Sequence, residues 1–307
     1  MILPLKKKKV LVLGGNDAQV PYIQELKKRG FWVALTDINE SAPGRACSDR
    51  FCAIGYEDSE NLIAFAASIG LTLDDYIFTA AAQFAHVGAA AVAEACGIKY
   101  PKPKTIEMCL DKTKYYPEFQ QFGIPIPETE YVQDFYELKK IVEISGGNNV
   151  FYLKSDFSKN PQYVYRFKKH DLDSQTVFWG RDRYLRQRYV LQEEVQGRHL
   201  RLNIFPGGYA IFDFKENTFV SSDESKRILL GNNVLETLNG FLNYHRLSRW
   251  LVKFDLVIHG NHWVALDIGL DPPMRMKSYV ESAGGDFVKS YVGMHLNGEF
   301  SGCDVWL

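Results

Sequence analysis

The sequence predicts an α/β domain followed by an α+β region, and three observations lead there. A continuous aliphatic run, Val10 to Leu13, is followed by Gly14-Gly15-Asn16-Asp17, a helix-like VPYIQELKKRG and a second strand, WVALTD. Strand, tight turn, helix and strand form the unit from which a parallel sheet is wound. From Lys104 the pattern changes to a helix reaching Phe122, and beyond it short β-rich runs follow one another as antiparallel strands do.

Taken in order, the opening MILPLKKKKVLVLGG sets lysines before an apolar run. The run is too short for a signal-peptide core and stops at glycines, so it is a buried first strand. A further strand is expected over Asp75 to Ala80, with the alanine-rich GAAAVAEACG as the next helix. The helix to Phe122 is ended by Gly123-Ile124-Pro125-Ile126-Pro127, because glycine suits a helix C-terminus and each proline pushes its predecessor toward extended backbone. An extended TEYV and a helix from about Asp134 to Ser145 come next. The strands NVFYLKSD, QYVYRFKK, RYVLQEEV, LRLNIF and GGYAIFDF follow. A helix around Leu235 to Leu247 precedes two strands that flank His259-Gly260-Asn261-His262. No internal repeat occurs, and no stretch reaches membrane-spanning length.

With 307 residues the chain can bury a sizeable core in two or three lobes. A net charge of -1 offers no polyelectrolyte surface, so a nucleic-acid partner is not indicated. The five cysteines, Cys47, Cys52, Cys96, Cys109 and Cys303, are odd in number and lack CxxC spacing. That argues against both a disulfide framework and a zinc cluster, and fits a reducing cytoplasm. The turn GGNDAQ invites a dinucleotide reading but lacks G-x-G-x-x-G, and Asp37 after the second strand does not replace that fingerprint.

Two lysines stand out on chemical grounds. Lys112 lies in DKTKYYPEFQQFGIPIPE, and Lys154 closes the apolar strand NVFYLK, where strand meets cleft. A nucleoside triphosphate must be neutralised from more than one direction, and lysine serves as a mobile point charge for that purpose.

The order of these segments resembles the ATP-grasp superfamily over nearly the whole chain. The first hundred residues are similar to the small α/β domain that precedes the grasp. The strongest motif is DKTKYYPEFQQFGIPIPE, which resembles the family's Asp-Lys, helix, Gly-Ile-Pro-x-Pro signature. The resemblance implies three parts: a pre-ATP-grasp domain over 1–103, a small lobe with the nucleotide lysines and hinge over 104–196, and a C-terminal lobe with the metal and substrate site over 197–307. It implies ATP and Mg2+ as cofactors and a carboxylate-amine ligase as the activity. The expected partners are a small-molecule acid and amine, with neither nucleic acid nor membrane, and a homodimer is compatible with the family.

Residue by residue, the resemblance places Lys112 and Lys154 on phosphate. VLQEEVQG takes the place of the adenine hinge, with Gln192 as acceptor for the adenine amino group and Glu193 to Val195 offering backbone groups. His199 falls where a ribose-contacting residue is common. GRHLRLNIF is similar to the G-x-D-x-R strand of the glutathione-synthetase and RimK-like branch, which assigns Arg201 to the transferred phosphoryl group. An always-charged, forked donor suits an acylphosphate. FDLVIHGNHWVALDIGLDPPMRM resembles the paired strands that carry the magnesium ligands, implying Asp255, Asp267 and Asp271, with Arg275 as a clamp for the substrate carboxylate.

Three departures accompany the match. Gly269 stands where the family has asparagine, and Gln192 replaces an acid. The phosphate-covering loop SDFSKNPQ has no glycine, so Ser155, Ser158 and Lys159 would close the site by side chain. Asp255 and Asp267 share a face only if the connection between their strands is odd in length or bulged. Two alternatives stay open: a non-catalytic nucleotide-binding protein of the same fold, and an NAD-dependent oxidoreductase built on the N-terminal unit.

Overall fold

The computed structural model describes residues 7–146, 150–156, 164–175, 188–230 and 233–300. The chain begins with a parallel sheet. Its strands β1 (Lys9–Leu13), β2 (Trp32–Thr36), β3 (Arg50–Cys52) and β4 (Tyr76–Phe78) lie in the order β3-β2-β1-β4. Val10 to Leu13 and Val33 to Thr36 are buried without alternation, because helices cover both faces of such a sheet. The connecting helices are α1 (Val20–Lys28), α2 (Ser59–Ser68) and α3 (Ala85–Cys96). The strand β3 and the helix α2, capped by Asp58 on the Asn61 amide, add to the elements expected from the sequence.

The single helix expected up to Phe122 is two helices, α4 (Pro103–Leu110) and α5 (Lys112–Gln121). The break is Asp111, whose backbone is extended (φ -117, ψ 112) and whose carboxylate accepts from the Thr113 amide at 2.9 Å. A short acidic side chain that bonds the backbone two residues on starts a helix rather than continuing one. Lys112 thereby becomes the first residue of α5.

Two antiparallel sheets follow. One holds β5 (Thr129–Val132), β6 (Val150–Ser155), β7 (Val164–Lys168) and β8 (Tyr189–Glu193) in the order β5-β8-β6-β7, with α6 (Phe135–Ile144) packed on it through Leu138 and Val142. The other holds β9 (Arg198–Phe205), β10 (Gly208–Asp213), β11 (Thr218–Phe219), β12 (Val252–His259) and β13 (His262–Gly269) in the order β11-β10-β9-β12-β13. Helices α7 (Ser222–Leu230) and α8 (Val234–Tyr244) lie between β11 and β12 in the chain. Tyr115 and Phe119 of α5 share a core with Phe241 of α8 and Phe254 of β12. The last described helices, α9 (Met274–Ser282) and α10 (Phe287–Asn297), return to the first sheet, where Met276, Val280 and Tyr291 pack with Val10, Val12 and Tyr22.

Candidate active site

A cleft of about 900 Å³ opens where the three sheets meet. Tyr56 and Gln83 reach it from the first domain, Lys112 from α5, Lys154 and Gln192 from the second sheet, and Arg201, Asp255 and Asp267 from the third.

On the lysine side, the Lys112 amide donates to the Asp156 carbonyl at 2.9 Å, which fixes the start of α5 to the end of β6. The Lys112 side chain is buried. Lys154 donates to Gln192 Oε1 at 2.8 Å, and Gln192 Nε2 donates to Thr129 Oγ1 at 2.8 Å. The neutral amide of Gln192 is thus spent on orienting a lysine. Burial, reinforced by Lys112 and opposed by Asp267 and Asp255, pushes the Lys154 pKa down to about 8.

At the hinge, the Glu193 carboxylate accepts from Ser145 Oγ, and Glu194 accepts from Arg166 Nε at 2.8 Å. The Glu194 amide donates to the Val150 carbonyl at 2.9 Å, whereas the Val195 amide, on the cleft wall, has no partner among the described residues. His199 stands on the same wall with its ring 4.6 Å from that of Phe214. Desolvation lowers its pKa against the pull of Asp255.

The opposite side is built by strand register. Arg201 on β9, Asp255 on β12 and Asp267 on β13 are direct cross-strand partners and form one row. Arg201 grips Asp255 with both ends of its fork, Nε to Oδ1 at 2.7 Å and Nη2 to Oδ2 at 2.8 Å. Asp255 and Asp267 face one another because a bulge shifts the register between Asp255 and Leu256, leaving Leu266 as the extra residue. A hairpin closed cleanly at Gly260-Asn261 would have separated them.

Two buried tyrosines of α5 hold that irregularity. Tyr116 OH donates to the Leu266 carbonyl at 2.8 Å, and Tyr115 OH donates to Asp267 Oδ1 at 2.8 Å. The stretch that supplies Lys112 therefore also anchors the bulge.

Asp271 lies two residues past the end of β13 and pairs with Lys253 Nζ at 2.7 Å. Gly269 leaves room for the lysine chain in this pose, since a Cβ there would sit 2.7 Å from Lys253 Cε and the chain would have to shift. Among the described residues no group of three His, Cys, Asp or Glu side chains is placed to hold a metal ion. Asp255 and Asp267, opposite one another at the cleft, remain as a pair of carboxylates, which with phosphate oxygens and water is a common donor set for magnesium.

Of the residues singled out in the sequence, the cleft gathers Lys112, Lys154, Gln192, Glu193, Val195, His199, Arg201, Asp255, Asp267 and Asp271. Arg275 lines an adjoining cavity instead. Ser158 and Lys159 lie outside the described residues. The sequence reading passed over Tyr115, Tyr116, Thr129 and Lys253. Helical and strand spacing carry the signal for two of them: Tyr115 is one turn after Lys112, and Lys253 is two residues before Asp255 on the same strand.

No protein-family model and no curated protein matches the chain. Solved structures do. The N5-carboxyaminoimidazole ribonucleotide synthetase of Thermotoga maritima superposes with a TM-score of 0.71 at 18% identity, over 97% of this chain and 78% of the other. The L-amino acid ligase of Bacillus licheniformis gives 0.70 at 14% identity, over 95% and 75%. The chain has the ATP-grasp fold. A third ATP-grasp structure, the dimeric biotin carboxylase domain of the Hydrogenobacter thermophilus 2-oxoglutarate carboxylase with MgADP and bicarbonate, matches with a TM-score of 0.67 at 15% identity, over 94% and 70%.

Proposed function

We propose that the chain is an ATP-dependent carboxylate-amine ligase. The observation that carries this reading is the in-register row Arg201, Asp255 and Asp267, which faces Lys112 and Lys154 across one cleft. In the reaction a carboxylate oxygen takes the γ-phosphoryl group of ATP and ADP leaves. The amine nitrogen then bonds the acyl carbon, the bond to phosphate breaks, and the amine proton is lost to solvent. Catalysis is positioning and charge neutralisation, with no protein nucleophile.

Lys112 and Lys154 hold the phosphates, the Val195 amide and the Glu193 backbone meet adenine, and His199 meets ribose. Gln192 acts through Lys154, because its amide oxygen already accepts from that ammonium. Ser158 keeps its phosphate assignment by resemblance. Asp255 and Asp267 hold magnesium, which supplies charge neutralisation at the phosphates when bound. Asp271 is left out of that set because it lies past the end of β13, outside the cross-strand pair of Asp255 and Asp267. Arg201 serves the transferring group, and Arg275 the substrate carboxylate.

The division at 103/104 and 196/197 is kept as part of this reading, and the grouping of the described strands into three separate sheets supports it. No helix among the described residues is long and apolar enough to cross a membrane. Small-molecule substrates, a cytoplasmic site of action and a homodimer complete the reading.

Thermal denaturation with Mg-ATP and with NAD tests it, alongside a screen of acid and amine pairs for ADP release. The expected result is a melting temperature raised by Mg-ATP alone, together with ADP release for a matching pair. Stabilisation by NAD but not Mg-ATP would overturn the reading, and Mg-ATP binding with no ADP release from any pair would favour a non-catalytic nucleotide-binding protein.

A further inference from the structure

Beside the main cleft, and sharing Arg201 and Asp271 with it, lies a second cavity of about 400 Å³. That is the size of a small-molecule site. Two neighbouring rows of the third sheet supply its floor: Phe212 and Arg201 from one, Asn203 and Lys253 from the next.

Three properties of its lining select a ligand. The first is one unbalanced positive charge. Arg201 is paired with Asp255 and Lys253 with Asp271, whereas Arg275 has no carboxylate partner among the described residues. Its guanidinium stands 4.6 Å from the Phe212 ring centre and 5.2 Å from that of Phe214. A guanidinium laid on aromatic rings keeps edge N–H donors for a planar anion.

The second is an acceptor without a donor. Asn203 is 1% exposed, its Nδ2 donates to the Ala210 carbonyl at 3.2 Å, and its Oδ1 has no partner among the described residues. A buried acceptor left unmade is a cost that a ligand N–H relieves. The third is an apolar wall of Phe212, Phe219 and Met274.

We propose that this cavity takes the acid substrate, and that the acid is an α-amino acid with a large apolar or aromatic side chain. Its carboxylate lies on Arg275, its ammonium between Asn203 Oδ1 and Asp271, and its side chain against the apolar wall. Arg201 and Arg275 each stand 5.2 Å from the centre of the Phe214 ring, so a carboxylate held by Arg275 lies toward the residue assigned to the phosphoryl group. A phosphorylated substrate fits less well: the one uncompensated guanidinium matches a single carboxylate group, and phenyl walls do not replace the hydration of a dianion. The role as acid substrate rests on the ligase reading, whereas the recognition rests on the cavity alone.

Calorimetry on the full chain, with and without Mg-ADP, tests the proposal with L-phenylalanine, 3-phenylpropionate, glycine and phenyl phosphate. L-Phenylalanine is expected to bind at least about tenfold more tightly than each of the others, the scale of one charge-assisted contact or one buried side chain. Arg275→Gln is expected to remove most of that affinity while leaving the Mg-ATP-induced rise in melting temperature intact, and Arg275→Lys to recover part of it. Equal binding of 3-phenylpropionate would overturn the ammonium site, and equal binding of glycine the apolar wall. Absence of binding, or indifference to Arg275→Gln, would overturn the whole assignment. ADP release with acids that do not bind this cavity would keep the ligase and remove the subsite. L-Phenylalanine binding without ADP release for any amine would keep the subsite and remove the ligase.

Discussion

The two sides of the main cleft handle charge in opposite ways. On the lysine side, Lys154 rests on the neutral amide of Gln192, is partly desolvated, and feels Lys112 as a like charge. Its pKa is depressed chiefly by burial, with Lys112 adding to the effect and Asp267 and Asp255 opposing it. Across the cleft each carboxylate already has a donor: Asp255 has Arg201, Asp267 has Tyr115 and Asp271 has Lys253. One side is therefore poised for an incoming polyanion. The other holds one carboxylate more than it holds cations, since Asp267 is met only by a neutral hydroxyl, and its ion pairs change partners when a ligand arrives.

Removing the guanidinium from the carboxylate side should cause the largest effect. Arg201→Ala is expected to lower turnover by about 10²–10³, the scale of losing one preorganised donor to a transferring group, with a much smaller change in ATP affinity. Steady-state kinetics check this. A variant that lost only ATP affinity would place Arg201 on the ground-state nucleotide and erase the contrast between the two sides.

A smaller effect is expected on the lysine side. Lys154→Ala should weaken nucleotide binding by about ten- to a hundredfold, as for one charge-assisted contact, while turnover at saturation changes less. The pH dependence sharpens the point. The phosphate-binding form of Lys154 is the protonated one, which in the free protein is the major form below about 8 and gives way to the neutral amine above it. Bound phosphate raises that pKa, so affinity should be constant at lower pH and fall by up to about tenfold per pH unit as pH rises past 8. The slope should vanish in Lys154→Ala, and calorimetric titrations across that range would show it. A wild-type profile that stays flat through pH 9 would mean that Lys154 is not the group meeting phosphate.

The smallest effect is expected at the margin of the carboxylate side. Because Asp271 pairs with Lys253 past the end of β13, Asp271→Asn should leave the magnesium requirement of ADP release nearly unchanged. A marked rise in that requirement would return Asp271 to the metal set. It would also show that the Lys253 pair opens when nucleotide binds.

Much of this site is legible in the sequence because it is written in local signals. The Gly-Ile-Pro-Ile-Pro stop, the lysine that closes an apolar strand and the Gly260-Asn261 hairpin each declare themselves within a few residues, through backbone preference and side-chain alternation. Even the break before Lys112 is local in origin. Asp111 is a helix-starting residue, overlooked because the apolar periodicity runs across it.

The row of Arg201, Asp255 and Asp267 is of another kind. Sequence spacing alone sets Asp255 and Asp267 on opposite faces, and the bulge at Leu266, held by Tyr116 from a helix 150 residues away in the chain, brings them together. The role of Gly269 was likewise decided in three dimensions. A Cβ there would sit 2.7 Å from Lys253 Cε, so the lysine that pairs with Asp271 runs through space that a side chain at 269 would share. Local sequence specifies which elements form and where they end, because those preferences act within a turn or two of chain. Which charges meet depends on strand register and on a buried hydroxyl arriving from another element, and those are set only when the sheets and α5 pack against one another.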